Sequence, residues 1–192
     1  MKKCFISLLA AILLILSGCK TAVTAEAPNI RPRAFSKETQ EVLDLIGDVY
    51  FYDFTLNDTL KSYTLDFWTC ADGQWAHESV AMDNFSALKH ACLGFQVLDE
   101  GIILYDFNEN GTTKMTSDIP LRPDPGPGYG VGSYHLGNEQ AIEANREIIL
   151  CQYLVSQSDG RIYTGELGSF APGHYSAGTA LTITFYDHPL EA

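Results

Sequence analysis

Apolar and polar residues alternate with a period of two along most of the chain, the pattern of β-strands with one buried face. Turn residues such as Asp72-Gly73 and Asn110-Gly111 separate these runs. The alternating runs cover residues 50–56, 63–67, 75–82, 93–97, 102–107, 112–117, 149–155 and 181–185. Short strands of this kind predict antiparallel sheets with one solvated face each.

Two such sheets packed face to face would bury both apolar sets, so the pattern predicts a mainly β protein, an antiparallel β-sandwich. The alternative is an α+β fold, a single curled sheet with a helix across its mouth. Residues 138–145 offer at most two helical turns, and no second long helical pattern favours parallel βαβ units.

One short helix precedes the first strand. Ser36 is a suitable N-cap, and apolar residues recur at helical spacing in the stretch 42–46. Gly47 follows as a stop signal. The pattern predicts an N-terminal amphipathic helix from about Lys37 to Ile46.

The N-terminus has the order of an export signal. Lys2 and Lys3 precede an apolar run over residues 5–16, and Leu16-Ser17-Gly18-Cys19 closes it. The run is shorter than the roughly 20 residues that a membrane span needs. The order resembles the lipobox of bacterial lipoproteins, which are cleaved directly before a cysteine that is then lipid-modified.

That resemblance implies a signal peptide over residues 1–18 and lipidation of Cys19 with acyl chains such as palmitate. The protein would then be lipid-anchored on the extracytoplasmic face of the cell membrane. Residues 19–35 contain Pro28 and Pro32 without an apolar period, so they are predicted to form a lipidated tether. Residues 36–192 then form a single β-rich globular domain.

The formal net charge of -12 limits the partners. So acidic a surface repels nucleic acid and anionic headgroups, which predicts no nucleic-acid partner. Membrane attachment is therefore expected through the lipid anchor and not through a basic patch.

Three cysteines remain in the predicted mature domain besides Cys19. Export permits disulfides, and Cys70 and Cys92 flank one short stretch, so they are the candidate pair. The alternative is three buried thiols, at Cys70, Cys92 and Cys151.

Asp106, Asn108 and Asn110 followed by Gly111 match the opening of a calcium-binding loop. The twelfth position is Ser117, however, so the usual bidentate glutamate is missing. An Asn-Gly hairpin between two strands is the preferred interpretation, which predicts no metal and leaves calcium as a weak alternative.

No phosphate-binding loop, H-E-x-x-H, C-x-x-C or G-x-S-x-G motif is present, so no cofactor is predicted. The many carboxylates, and a Cys/His pair formed in the fold, leave a cell-envelope hydrolase open as an alternative.

Aromatic residues are the candidate ligand-binding groups. The Pro- and Gly-rich segment 119–137 carries Tyr129, Tyr134 and His135, while Trp68 and Trp75 bracket the Asp72-Gly73 turn. These residues predict a binding or protein-interaction module, with a peptide, a glycan or an envelope protein as partner. A passive structural component of an envelope complex is a further alternative.

The anchor can be tested by the substitution Cys19→Ala, which removes the acylated thiol. We expect the variant to lose acyl labelling and to leave the membrane fraction. Metabolic labelling with a clickable fatty acid, followed by fractionation, measures both effects. Unchanged labelling would contradict the lipoprotein prediction.

Overall fold

The computed structural model describes residues 27–85, 90–108, 111–156 and 161–191. The predicted signal peptide, Cys19, the first part of the tether and Asn110 lie outside these residues.

The described residues form eleven strands, one α-helix and one 3-10 turn. The strands are β1 Asn29–Pro32, β2 Val49–Thr55, β3 Ser62–Ala71, β4 Gln74–Asn84, β5 His90–Leu98, β6 Gly101–Asn108, β7 Gly111–Ser117, β8 Val131–His135, β9 Gln140–Ala141, β10 Glu147–Ser156 and β11 Tyr175–Tyr186. The helix, α1, spans Lys37–Ile46, and the 3-10 turn spans Thr164–Glu166.

The strands make two antiparallel sheets. Sheet A has six strands in the order β7-β6-β5-β2-β1-β9, and sheet B has five in the order β4-β3-β11-β10-β8. The predicted mainly β, sandwich-like fold is confirmed, and the alternative of a single curled sheet is not adopted.

The core lies between the two sheets and follows the period-two alternation. Leu93 and Phe95 of sheet A and Leu65 and Phe67 of sheet B are fully or almost fully buried in one cluster. The side chain of Tyr52 also crosses the core, where its hydroxyl donates to the carbonyl of Leu150 in sheet B over 3.1 Å. The inner faces therefore interlock through packing and through a buried hydrogen bond.

Residues 29–32 correct the predicted tether. They form β1, which pairs with β2 on one side and with β9 on the other, and Ile30 is completely buried. The prediction that the tether extends to residue 35 is therefore wrong for this part, and the folded domain begins before residue 36. A four-residue strand is too short to show a period, and Pro32 at its end masked the signal.

Helix α1 has the predicted bounds, and the Ser36 hydroxyl accepts a hydrogen bond from the Thr39 amide over 3.3 Å. Its apolar stripe, however, faces away from the sheets, and Leu45 is 88% exposed. Of its apolar residues, Leu43 lines the cavity beside β2. Within the described ranges, no helix combines the length and the apolar character that crossing a bilayer requires.

Within the Pro- and Gly-rich segment 119–137, residues 119–130 connect β7 of sheet A with β8 of sheet B, and residues 131–135 form β8 itself. Leu121 anchors it by full burial in the core, and its carbonyl accepts a hydrogen bond from the hydroxyl of Thr179. The segment therefore contains a crossover between the sheets that is fixed near its start, at Leu121.

Strand β4 is an edge of sheet B and contains a β-bulge. The register with β3 shifts between Leu65 and Asp66, because Ala81 faces Leu65 while Ser79 faces Asp66. Val80 is the extra residue, and the bulge places the side chain of Ser79 against Asp66.

Two leucines test the assignment of the core. Leu65→Ala should lower the free energy of unfolding by about 2–5 kcal/mol, because Leu65 is completely buried between the sheets. Leu45→Ala is the matched control, and we expect a change within about 0.5 kcal/mol at this exposed position. Urea unfolding followed by tryptophan fluorescence measures both, and equal effects would contradict the assignment.

Candidate functional site

The four predicted ligand-binding residues do not converge on one site. Tyr134 and His135 are neighbours in β8, so their side chains lie on opposite faces of sheet B. The ring of Tyr134 packs against Gly168, where an added Cβ would lie 3.0 Å from a ring carbon. His135 faces the other way, towards β2.

His135 belongs to a packed aromatic cluster. Its ring stacks on Tyr50 with 4.2 Å between centroids, and its Nε2 lies 3.4 Å from the hydroxyl of Tyr153. Arg122 lies over the Tyr153 ring and pairs with Asp48. Burial lowers the pKa of His135, and the charge of Arg122 lowers it further. The imidazole therefore stays neutral at pH 7.

Tyr129 and Trp75 lie on two sides of Tyr175. Tyr129 is 44% exposed and lines an open cavity of about 510 Å³ with Tyr175 and the Asp72-Gly73 turn. The indole nitrogen of Trp75 donates to the Tyr175 hydroxyl over 3.1 Å. The indole N–H of Trp75 is thus used in a hydrogen bond within the protein, and the ring of Tyr129 is more available to a ligand.

The outer face of sheet B carries the densest group of aromatic and polar side chains. Core positions such as 65 and 67 in β3, and 181 and 183 in β11, point inward, so the residues between them point outward. We call this group the Trp68 face. Its members are Thr64, Asp66, Trp68, His77, Ser79, Glu147, Phe170 and Thr182.

Trp68 is held in place from several sides. Its indole nitrogen donates to Glu147 Oε1 over 2.7 Å and lies 3.1 Å from the Thr182 hydroxyl. Its ring stacks on His77 at 4.3 Å between centroids and contacts Phe170 at 4.7 Å. These contacts preorganise a partly exposed aromatic surface next to a carboxylate.

Asp66 stabilises the same face from beneath. It is 5% exposed, and its carboxylate accepts hydrogen bonds from the hydroxyls of Thr64, over 2.8 Å, and Ser79. His77 Nδ1 lies 3.9 Å from Asp66 Oδ1, which orients the imidazole over Trp68. Asp66 thus fixes the strands β3 and β4 and the histidine together.

The segment 161–174 covers one end of the outer face of sheet B. The Gln152 side chain donates to the Ser169 carbonyl over 2.6 Å and accepts from the Gly168 amide over 2.8 Å. Glu166 closes the segment by accepting from the backbone amide of His174 over 2.6 Å. Phe170 stands at its border, between the rings of Trp68 and Trp75. The segment thus covers one end of the outer face of sheet B and leaves the Trp68 face, at its border, uncovered.

Sequence reasoning missed most of this face. His77 and Glu147 belong to alternating strands, so their outward positions could be read from the period. Their contacts with Trp68, however, depend on the order of strands β4, β3, β11 and β10. Phe170 comes from irregular chain and gave no periodic signal.

The three cysteines of the described residues are free and buried. The predicted disulfide between Cys70 and Cys92 is wrong, because Cys70 lies in sheet B beside Leu154, while Cys92 lies in sheet A beside Asp53. The alternative of three buried thiols is confirmed.

Burial makes these thiols poor nucleophiles. It raises the pKa of Cys92 to about 11 and also raises the pKa values of Cys70 and Cys151. Since the thiolate is the reactive form, the three side chains are protonated and inert at pH 7. This disfavours the Cys/His version of a hydrolase.

The hairpin interpretation of the Asp106 motif is confirmed, since β6 and β7 pair up to Asn108 and Gly111. Asp106 points into the sandwich and accepts a hydrogen bond from the Tyr63 hydroxyl over 3.1 Å. It also accepts from the Asn108 amide over 3.3 Å. These contacts use Asp106 and Asn108 inside the protein and do not support the weak calcium alternative.

Comparison with known proteins finds no matching family model, no matching curated protein and no matching solved structure.

Asp106 makes stability dependent on pH. Burial raises its pKa, and this outweighs the opposing hydrogen bond from Tyr63. A carboxyl whose pKa is higher in the folded state favours folding below the unfolded value and loses that contribution as the pH rises through the folded value. Asp106→Asn should therefore stabilise the protein at pH 7 relative to the native chain.

The advantage of Asp106→Asn should shrink as the pH falls below the pKa of Asp106 in the native fold. Thermal unfolding between pH 3 and pH 7 measures it, and Asp99→Asn, in the exposed turn before β6, is the control. An advantage that grows towards low pH would contradict the analysis.

Proposed function

We propose that this protein is a lipid-anchored, extracytoplasmic module that binds a glycan through the Trp68 face. The observation that carries the proposal is the fixed arrangement of Trp68, His77 and Glu147 on the solvent side of sheet B. The anchor rests on the resemblance of Leu16-Ser17-Gly18-Cys19 to a lipobox.

The chemistry of the face suits a sugar. Aromatic rings stack on the apolar C–H surfaces of sugars, and carboxylates and hydroxyls bind sugar hydroxyls. The face offers both kinds of group, with a His77 side chain that is about half exposed. The Glu147 Oε1 atom already binds Trp68 and Thr182, so the second oxygen of that carboxylate is the acceptor for a ligand hydroxyl.

Charge favours a neutral ligand. Asp66 and Glu147 contribute two carboxylates to the face, and the whole chain carries a net charge of -12. An anionic polymer would be repelled by this field, whereas an uncharged, hydroxyl-rich chain is not. A peptide or an envelope protein, the other candidate partners, lacks such a specific match to the face.

A carboxylate-dependent hydrolase is the second candidate, because Asp66 and Glu147 lie on one face on opposite sides of β11. Both oxygens of Asp66 accept hydrogen bonds from the protein, however, so this carboxylate is committed to holding the strands. Binding without cleavage is therefore the function that the arrangement supports better.

His77→Ala tests the proposal with the detergent-solubilised full-length protein on an array of neutral and charged glycans. Loss of one stacking ring should weaken binding of the neutral glycans by about 3- to 10-fold. His90→Ala is the matched control, since His90 is an exposed strand histidine of sheet A.

Three outcomes of this experiment are informative. Neutral glycans that bind the native protein and the His90 variant alike, but bind the His77 variant more weakly, support the proposal. No binding of any glycan by the native protein overturns it. Release of shorter sugars, seen by mass spectrometry, would instead favour the hydrolase.

A further inference from the structure

The outer face of sheet A contains a second cleft. It lies on the opposite side of the sandwich from the Trp68 face, because the core lies between the two sheets. Its volume is about 510 Å³, within the range of small-molecule sites. We call it the Arg31 cleft. Its chemistry-bearing members are Arg31, Arg33, Asp53, His90, Cys92 and Phe107.

Strand register builds this cleft. Arg31 of β1 faces Asp53 of β2, Asp53 faces Cys92 of β5, and Cys92 faces Phe107 of β6. Because Ile30 and Leu93, the neighbours of Arg31 and Cys92, are buried in the core, the row points outward. The cleft is thus a straight row of side chains across four strands, with a cationic end and an aromatic end.

Arg33 neutralises the carboxylate in the row. Its Nε lies 2.9 Å from Asp53 Oδ1, and the thiol of Cys92 also hydrogen-bonds to Asp53. The single carboxylate of the cleft is therefore satisfied by groups of the protein and does not need a second cation.

Arg31 is left without such a partner. Among the described residues, no hydrogen bond or ion pair involves its guanidinium, which is exposed at the edge of the cleft. Arg31 in β1 and Arg33, which follows the end of β1, are two residues apart and both line the cleft, so their like charges repel each other. A bound anion would relieve this repulsion and offer the planar donor groups a bidentate acceptor.

The local charge is the reverse of the overall charge. The chain has twice as many acidic as basic residues, with 24 Asp and Glu against 12 Lys and Arg. The Arg31 cleft nevertheless holds two guanidiniums and the imidazole of His90 against one carboxylate. The negative surroundings exclude an anionic membrane or polymer, whereas a small anion can enter the cleft.

We propose that the Arg31 cleft binds a small soluble molecule with one carboxylate or phosphate group and an apolar body. Arg31 binds the anionic group, and the apolar body packs along the row on Cys92 and Phe107. The proposal is independent of glycan binding, since it uses the other sheet and charged groups in place of stacked rings.

The test uses the full-length protein with three matched probes, namely benzoate, phenyl phosphate and the uncharged benzamide, at constant ionic strength. At ten times its dissociation constant, a binding anion should raise the melting temperature by about 3–6 °C. Benzamide should give no such rise, because it lacks the charge. Isothermal titration then measures the affinity of each probe.

Arg31→Gln should weaken binding of the anionic probe by about 10- to 100-fold, the loss expected for a charge-assisted hydrogen bond. Arg146→Gln is the matched control, since Arg146 is exposed and pairs with Glu143 outside the cleft. The NMR chemical shifts of His90 are a second readout, because His90 lines the cleft and its surroundings change when the probe binds.

A saturable rise with benzoate or phenyl phosphate that Arg31→Gln removes and Arg146→Gln keeps supports the proposal, and the stronger probe names the anionic group. No rise with either anion, an equal rise with benzamide, or an equal response of the Arg31 variant overturns it. Tighter binding to phosphatidylglycerol vesicles than to either probe also overturns it, since the ligand would then be a membrane. Glycan binding can persist or fail in each case, so the two proposals are separately testable.

Discussion

Burial of two interlocking apolar faces is the constraint on which the rest of the structure depends. Phe54 of sheet A meets Phe185 of sheet B edge to face at 5.4 Å between ring centroids, in a core cluster drawn from both sheets. Because every second residue of a strand points into this core, the residues between them point outward. The core therefore decides which side chains are available for binding, and it does so with a period of two.

The outward-pointing side chains of the two sheets differ in their chemistry. Sheet B presents rings beside carboxylates, with Trp68 fixed by Glu147 and His77. Sheet A presents guanidiniums beside a carboxylate that one of them already neutralises, at Arg33 and Asp53. With the two proposed binding surfaces, one basic and one aromatic, the chain would distinguish ligands by charge. Apart from Phe170 and Arg33, the named residues of both surfaces lie on strands, so little ordering has to accompany binding.

Much of the fold could be predicted from sequence, because the alternation of residues such as Leu181, Ile183 and Phe185 reports burial directly. The helix bounds followed from Ser36 and Gly47 in the same way. Strand order is not encoded in any local period, so the contacts of His77 and Glu147 with Trp68 and the separation of Cys70 from Cys92 could not be predicted. Strand β1 was missed for a related reason: four residues ending in proline look like linker until β2 and β9 flank them.

The bulge at Val80 has a consequence for the behaviour of many copies on one surface. Strand β4 is eleven residues long and has unpaired backbone groups along its outer side, which is the geometry in which neighbouring molecules can extend each other's sheets. The extra residue bends this edge and interrupts its hydrogen-bonding rhythm. Under the proposed membrane anchorage, neighbouring molecules would meet along an edge that disfavours pairing between their sheets, and the two proposed binding surfaces would stay open.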